Sequence, residues 1–501
     1  MHWLTALGAL PIIGALVLCA PVKNTARQLG MAFSLATLAL GAYVAWLYLT
    51  GTKLDVVVPW IPAIGANWAL GLDGMGLTMA LLPVVLTPLV LLAEWNTGAL
   101  GGRWSPRAFF GLVLLLEGLS VFVFLATDVL LFYLFFEATL IPMYFLIGGF
   151  GAGKRGLAAN KFLLMSLAGG LVMLVSVIGL YGVSASAGAP TYLLSDLAAL
   201  HIGGDLGRWL FIGFMVAFAV KAPMVPVHSW LPDACESATP GTSVLLVGVL
   251  DKISTFGMLR FCLGLFGEAA QWATPVVVTL AVISILYGAV AAVASKHLMR
   301  LIAFTSISHF GFMVLGVFAF TSASITGSMF YMVNHGFSTA AMFLVIGFVI
   351  RRRGSAQVAD FGGVEKVAPV LAGLVLVSGL SVLSLPGYST FVSEFMVLAG
   401  AWSQWPWVAA IACLGMVLSA LYVLLMYQRT MTGPPSAEVA KRFGVDATAL
   451  EKWVLAPIIA VLLLFGFFPK PITDLVEPTA RALMSYVSVS DPAPVVVKEA
   501  K

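Results

Sequence analysis

Apolar runs of about 20 residues follow one another along almost the whole chain, and within each run the apolar residues are continuous. A run of that length is what an α-helix needs to cross a hydrocarbon core of about 30 Å. A transmembrane barrel would need short segments in which apolar and polar residues alternate, and these runs do not alternate. The composition agrees: 61% of the residues are hydrophobic and 10% are charged, where a soluble domain carries about 25% charged residues. The chain is therefore read as an all-α integral membrane protein. The first run, 5–20, has no basic segment before it and no small-residue cleavage site, so it is expected to remain as a span.

Fourteen transmembrane helices are expected, near 5–20, 29–49, 74–93, 109–126, 129–150, 162–183, 209–231, 242–266, 275–294, 301–320, 325–350, 369–402, 407–427 and 454–468. The loops between them test the count. Seventeen of the 26 Lys and Arg fall in one set of alternate loops and six in the other, with Lys221, Lys252 and Arg260 left inside helices. The positive-inside rule makes the first set cytoplasmic. Both termini are then expected on the outer side of a bacterial cell membrane. The net charge of +4 is spread over these loops, and no nucleic-acid partner is expected.

Two spans are expected to be broken. Span seven carries Pro223 and Pro226 just after Lys221, and each proline removes a backbone donor. Span twelve would be about 51 Å long as a straight helix, far more than the membrane core, and Pro386–Gly387 interrupts it. Exposed backbone at that depth is tolerated only when buried in protein or lining a wet cavity. The two breaks are five spans apart and oppositely directed, the pattern of two inverted halves around a transport route. This gives four regions: an N-terminal three-helix part (1–107), a first repeat of spans four to eight (108–268), an inverted second repeat of spans nine to thirteen (269–430), and a final loop, helix and tail (431–501).

Charge inside the spans is sparse and isolated. Lys221 is the only Asp, Glu, Lys or Arg in 209–231, and Glu394 is the only one in 367–428. A Lys or Asp at the centre of a spanning helix costs about 2.5–3.5 kcal/mol on insertion scales, so such residues mark ion or proton routes by default. Glu137 and Lys221 are expected at similar depth. A carboxylate moving towards or away from an ammonium in low dielectric loads or unloads its proton; the plainer reading is a static ion pair between helices. Lys252 lies mid-span beside Asp251, which points about 100° away and has no evident role. His309 and His335 share a stretch, 301–350, that holds no Asp, Glu, Lys or Arg. A neutral imidazole both donates and accepts, which suits a relay, although a lone membrane histidine also serves as a helix–helix hydrogen bond. Glu117 and His228 are secondary candidates, as another partner for Lys221 and as an entrance marker. The four cysteines show no metal-ligand spacing, and neither a zinc site nor a disulfide framework is expected.

The strings around these residues are specific: Phe-Phe-Glu137-Ala-Thr-Leu-Ile-Pro-Met-Tyr, Val220-Lys221-Ala-Pro-Met-Val-Pro-Val-His-Ser-Trp-Leu-Pro-Asp-Ala, Arg300-Leu-Ile-Ala-Phe-Thr-Ser-Ile-Ser-His309-Phe-Gly and Val392-Ser-Glu394-Phe-Met. They resemble the antiporter-like membrane subunits of respiratory complex I, the proton-pumping NADH:quinone oxidoreductase, over essentially all fourteen spans. The resemblance is greatest to the subunit M (chain 4) branch, because span twelve carries Glu394 where other branches typically carry lysine, and no long C-terminal extension follows. It implies a first half-channel pair of Glu137 and Lys221, a central relay at Lys252, a bridging relay at His309 and His335, and an outlet at Glu394. Cys235 departs from the pattern, since that position is usually histidine. The resemblance also implies partners: neighbouring antiporter-like subunits in the membrane arm, the lipid bilayer, protons and water. No cofactor is expected in this chain; NADH, flavin, iron–sulfur clusters and quinone are expected in partner subunits. A subunit of a multisubunit cation/proton antiporter and a non-pumping structural subunit are the alternatives.

Overall fold

The computed structural model describes residues 2–20, 25–98 and 104–492. Lys23, Arg103, Lys498 and Lys501, counted above in the loop charges, lie outside the described residues. The long elements, in chain order, are α1 (Trp3–Cys19), α2 (Ala26–Leu49), a hairpin of β1 (Val56–Ile61) and β2 (Ala66–Leu70), α3 (Gly74–Ala93), α4 (Pro106–Leu125), α5 (Val129–Ala138), α6 (Leu140–Phe150) and α7 (Arg155–Ser186). Next come α8 (Gly204–Lys221), α9 (Trp230–Ser237), α10 (Pro240–Leu263), α11 (Gly267–Ala294), α12 (Leu298–Phe318) and α13 (Ser322–Arg353). The chain ends with α14 (Pro369–Val382), α15 (Ser389–Gln404), α16 (Pro406–Met431), α17 (Ala449–Phe467) and α18 (Lys470–Tyr486).

Helix starts follow local chemistry. The Asp73 carboxylate accepts the Gly76 N–H at 2.7 Å and caps α3, and Ser105 followed by Pro106 opens α4. Thr321 with Ser324, and Thr448 with Glu451, satisfy the first N–H groups of α13 and α17 reciprocally. Gly354, with φ of +73°, closes α13 in the left-handed conformation that glycine adopts without strain.

Among the described residues, 11 helices are long and apolar enough to cross a membrane. At the positions expected for spans one, seven and twelve the helices are shorter than that: the 17-residue α1, and the interrupted pairs α8–α9 and α14–α15. Both expected breaks are present. Helix α8 stops at Lys221, and 222–229 runs irregularly to α9; α14 stops at Val382, and Gly387 takes a φ of +102° before α15 begins.

The interior and the rim differ sharply. The apolar stretches of α10 and α12 are wholly buried and that of α13 almost so, making these three the central axis. The rim helices turn large apolar side chains outward: Leu164 and Val175 on α7, Trp272 and Val276 on α11, Val417 on α16, Leu464 on α17. An outer face this apolar is stable only against lipid or other membrane protein. The chain is thus a multi-pass, essentially all-α membrane protein.

Four features were not expected. Span five is kinked: α5 and α6 meet at Thr139, two residues beyond Glu137, where the Thr139 hydroxyl donates to the Phe136 carbonyl at 2.7 Å. Span eight, α10, is π-helical over Val244–Leu250 and Met258–Leu263, so Lys252 opens the short regular stretch between two widened ones. The loop after α2 forms the β1–β2 hairpin, turning at Gly65 (φ +70°), and the Asn67 N–H docks on the Asp128 carboxylate at 2.9 Å. Finally, α18 folds back on α3 and α13, burying Val476, Ala480, Leu483 and Met484. There Arg260 grips Asp73 through two hydrogen bonds, at 2.7 and 2.8 Å, and Thr479 of α18 reaches Asp73 at 3.5 Å.

Candidate functional site

Lys221 is the last residue of α8, fully enclosed, at the helix end where carbonyls are free and a cation is favoured. Its ammonium donates to the Phe136 carbonyl at 3.2 Å and the Thr139 hydroxyl at 3.4 Å, and sits 3.6 Å from the centre of the Phe136 ring. The kink in span five therefore serves Lys221, because it presents a carbonyl and a hydroxyl that a straight helix would keep to itself. Glu137 is one residue away from that carbonyl. It forms no ion pair with Lys221, and both its carboxylate oxygens are buried without a hydrogen-bond partner. Instead the carboxylate packs against Gly170 of α7, where a side chain would collide with it.

Lys252 faces the other half of the molecule. Its ammonium lies 2.7 Å from His335 Nδ1, donates to the Val247 carbonyl at 2.9 Å, and stands 4.3 Å from the Phe310 ring centre. The Val247 carbonyl belongs to the π segment, where the usual i→i−4 ladder is loosened and a carbonyl can turn to an ammonium. The rings of His335 and His309 meet edge to face at 5.1 Å. From there the polar groups continue along two tyrosines. His309 Nε2 is 3.2 Å from the Tyr422 hydroxyl, and the Tyr331 hydroxyl donates to the Glu394 carboxylate at 3.3 Å, with the Tyr331 ring 6.0 Å from His309 and 6.3 Å from His335.

Glu394, in the second turn of α15, is held in register with α13 by Asn334, whose side-chain amide donates to the Ser389 carbonyl at 2.9 Å and the Ser393 hydroxyl at 3.2 Å. Lys252, His335, His309, Tyr331, Tyr422 and Glu394 are all buried, and each can take up or release a proton or pass one along a hydrogen bond. Tyr331 and Tyr422 were missed in the sequence, where they read as ordinary aromatic core; the available signal was that Tyr331 lies four residues before His335, on the same helix face.

The secondary candidates are placed differently. Glu117, on α4, is buried with both oxygens unpartnered and is not joined to Lys221. His228 lies in the irregular segment after α8, its ring 4.8 Å from that of Tyr287. Beside that segment, Lys161 donates to the Ser229 carbonyl at 2.8 Å and to Asp233 at 2.7 Å, and Arg300 binds Asp233 at 2.6 Å and Glu236 at 2.9 Å. A cavity of about 590 Å³ opens among these charged groups, lined also by Lys154 and His297. Among the described residues no cluster of His, Cys, Asp and Glu could hold a metal ion.

Residues 126–420 match the family model described as NADH:quinone oxidoreductase/Mrp antiporter, TM. The NADH-quinone oxidoreductase subunit M of Mycobacterium tuberculosis is 46% identical over 98% of this chain and 96% of its own length. The subunit of the same name from Rhodobacter capsulatus is 36% identical over 85% and 83%. Among solved structures, a chain of respiratory complex I from Thermus thermophilus superposes with a TM-score of 0.88 at 33% identity, covering 97% of this chain and 99% of that one. A chain of the Mrp complex from Dietzia, at 23% identity and a TM-score of 0.83, shares the fold. The chain belongs to the NADH:quinone oxidoreductase/Mrp antiporter transmembrane family, as an antiporter-like membrane-arm subunit of the subunit M kind.

Proposed function

We propose that this chain carries protons across a bacterial cell membrane as a membrane-arm subunit of a proton-pumping NADH:quinone oxidoreductase. The redox chemistry, with NADH, flavin, iron–sulfur clusters and quinone, takes place in partner subunits, and neighbouring antiporter-like subunits flank this one. The reading rests on one observation above others: an enclosed line of proton-exchanging groups from Lys252 through His335 and His309 to Tyr331 and Glu394, with Lys221 at the break of the opposite half. Glu137 governs the loading of Lys221, Lys252 is the central station, the two histidines bridge, and Glu394 is the outlet. His228 and the charged cavity beside it mark an entrance. Glu117 is held as a second acid near the first half-route.

The architecture that goes with this function has fourteen spans, arranged as a three-helix N-terminal part (1–107), two inverted five-helix repeats (108–268 and 269–430) and a C-terminal part (431–501), with both termini on the outer side. The matched breaks after Lys221 and Val382 support the repeat, and the loop charges support the direction.

The test is at Glu394. An outlet needs a group that binds and releases a proton, so Glu394→Asp keeps substantial pumping and Glu394→Gln loses most of it, with the complex assembled in both. The measurement is proton uptake into reconstituted vesicles, normalised to NADH oxidation with an artificial acceptor. Equal, near-normal pumping by the two variants would remove Glu394 from the route.

A further inference from the structure

Next to Lys252 on α10 is a carboxylate that the route above leaves without a task. Asp251 is fully buried on α10, and neither of its oxygens has a hydrogen-bond partner. An Asp at the centre of a spanning helix is costly, and leaving a buried acceptor unpaired adds to that cost. A group held in place only for packing would not need to be an acid.

Its position is specific. Lys252, the next residue, spends its ammonium on His335 and Val247, so Lys252 is turned towards the second half. Asp251, about 100° around the helix, is left free of that contact. The ring of Phe218, one turn before Lys221 on α8, lies against Gly257 of α10, which sets the end of α8, and the α9 that carries the buried Cys235, beside this part of α10. Helix α9 is tied to the end of α8 by Trp230, whose indole N–H donates to the Val220 carbonyl at 2.9 Å. Helix α8 packs on the stretch of α10 that begins at Lys252. The Asp251 N–H bonds to the Leu246 carbonyl at 3.0 Å, the five-residue reach of the π segment, which fixes the backbone from which the carboxylate projects.

We propose that Asp251 is a proton carrier between Lys221 and Lys252, a deepening of the function proposed above and dependent on it. The Lys221 ammonium gives a proton to the Asp251 carboxylate, leaving a neutral amine and a neutral carboxylic acid. The acid then gives that proton to the neutral amine of Lys252, restoring the carboxylate and producing an ammonium against His335. One proton moves and the total charge of the three groups is unchanged at each step. No direct hydrogen bond joins the three, so each transfer runs through water, which is equivalent to a direct hydrogen bond in enthalpy to within a small margin.

The experiment compares Asp251→Asn, Asp251→Glu, Asp251→Asn combined with Cys235→His, and Lys221→Ala, each in the intact complex in vesicles. Assembly is checked by NADH oxidation with an artificial acceptor. Expected are loss of most proton uptake in Asp251→Asn and its retention in Asp251→Glu. Partial recovery is expected in the double variant, where an imidazole on the neighbouring α9 supplies another carrier but no negative charge. Normal pumping in Asp251→Asn together with loss in Lys221→Ala overturns the role of Asp251 and leaves the wider reading standing. Normal pumping in both overturns the two together. Equal loss in an assembled Asp251→Glu and in the double variant also overturns the carrier role, because it reduces Asp251 to a shape requirement.

Discussion

Gly170 offers a test of Glu137 that does not touch Glu137 itself. A methyl group at Gly170 would stand 2.5 Å from the Glu137 carboxyl carbon and closer still to one of its oxygens. Ordinary contact begins near 3.4 Å, so the carboxyl carbon must retreat by about 1 Å and its nearer oxygen by more. The retreat is cheap in stability, because the colliding atoms are the end of a flexible side chain. It is expensive in function, because a misplacement of about 1 Å at a reacting group can cost on the order of 100-fold, or about 2.7 kcal/mol of barrier. Gly170→Ala is therefore expected to assemble normally and to lower proton uptake per NADH oxidised by at least about tenfold. Shortening the acid should relieve the collision, so adding Glu137→Asp to Gly170→Ala is expected to recover part of the loss. The assay is initial proton uptake in vesicles, with the double-mutant cycle read as a coupling between the two sites. Full pumping in Gly170→Ala, or a double variant that is merely additive, would refute the claim that the carboxylate's position at α7 matters.

Tyr331→Phe removes a hydroxyl that donates to Glu394 and should slow pumping by about 10-fold, from about 1.4 kcal/mol for a hydrogen bond to an acid; unchanged initial rates would take Tyr331 out of the route. Glu137→Gln preserves shape and removes charge, so it is expected to impair pumping nearly as much as Glu137→Ala; a Gln variant that pumps normally beside a failing Ala variant would make the residue a packing element. Asp73 lies outside the spans: burial alone would raise its carboxyl, but Arg260 and the Gly76 N–H hold it below the usual range. The Asp73–Arg260 pair, which ties the start of α3 to the end of α10, is thus fully present above about pH 4 and is lost as the pH falls through the lowered value. Asp73→Asn should loosen this junction at neutral pH, seen as faster amide exchange at the start of α3 and across 258–263, while the parent protein should loosen only in acid; equal exchange in the two at neutral pH would contradict the clamp.

How much of this was legible depended on what made each residue conspicuous. Lys221, Lys252 and Glu394 stand out because an isolated charge in an apolar run is costly, and the structure buries all three. Glu117 stands out for the same reason, yet the structure joins it to no lysine, since periodicity along one helix says nothing about which neighbour its face meets. Tyr331 and Tyr422 were invisible because a tyrosine in a spanning helix is chemically unremarkable until its hydroxyl is seen against an acid or an imidazole. The break at Pro386–Gly387 was legible from length and proline together. The bend at Thr139 was not, because threonine bends a helix only when its hydroxyl takes a carbonyl from the turn before. The π segments of α10 left no mark either: Val-Leu-Leu-Val-Gly-Val-Leu is as apolar as the neighbouring spans, and nothing in its order separates a π turn from an α turn. Arg260 was left without a partner in the sequence; the Asp73 that pairs with it is far away along the chain.

Those π segments have a mechanical consequence. A π stretch stores a residue that a regular helix does not need, and taking that residue in or out turns everything beyond it by about 100°. Lys252 follows directly after one such stretch and precedes another. Converting Val244–Leu250 to regular α geometry would swing the ammonium off His335 by about a quarter of a turn, while a compensating slip at Met258–Leu263 would leave the far end of the helix, with Arg260 and its anchor, close to where it began. Lys252 is thus mounted between two stretches of slack, so that a slip in both would turn the middle of the helix and leave its ends in place.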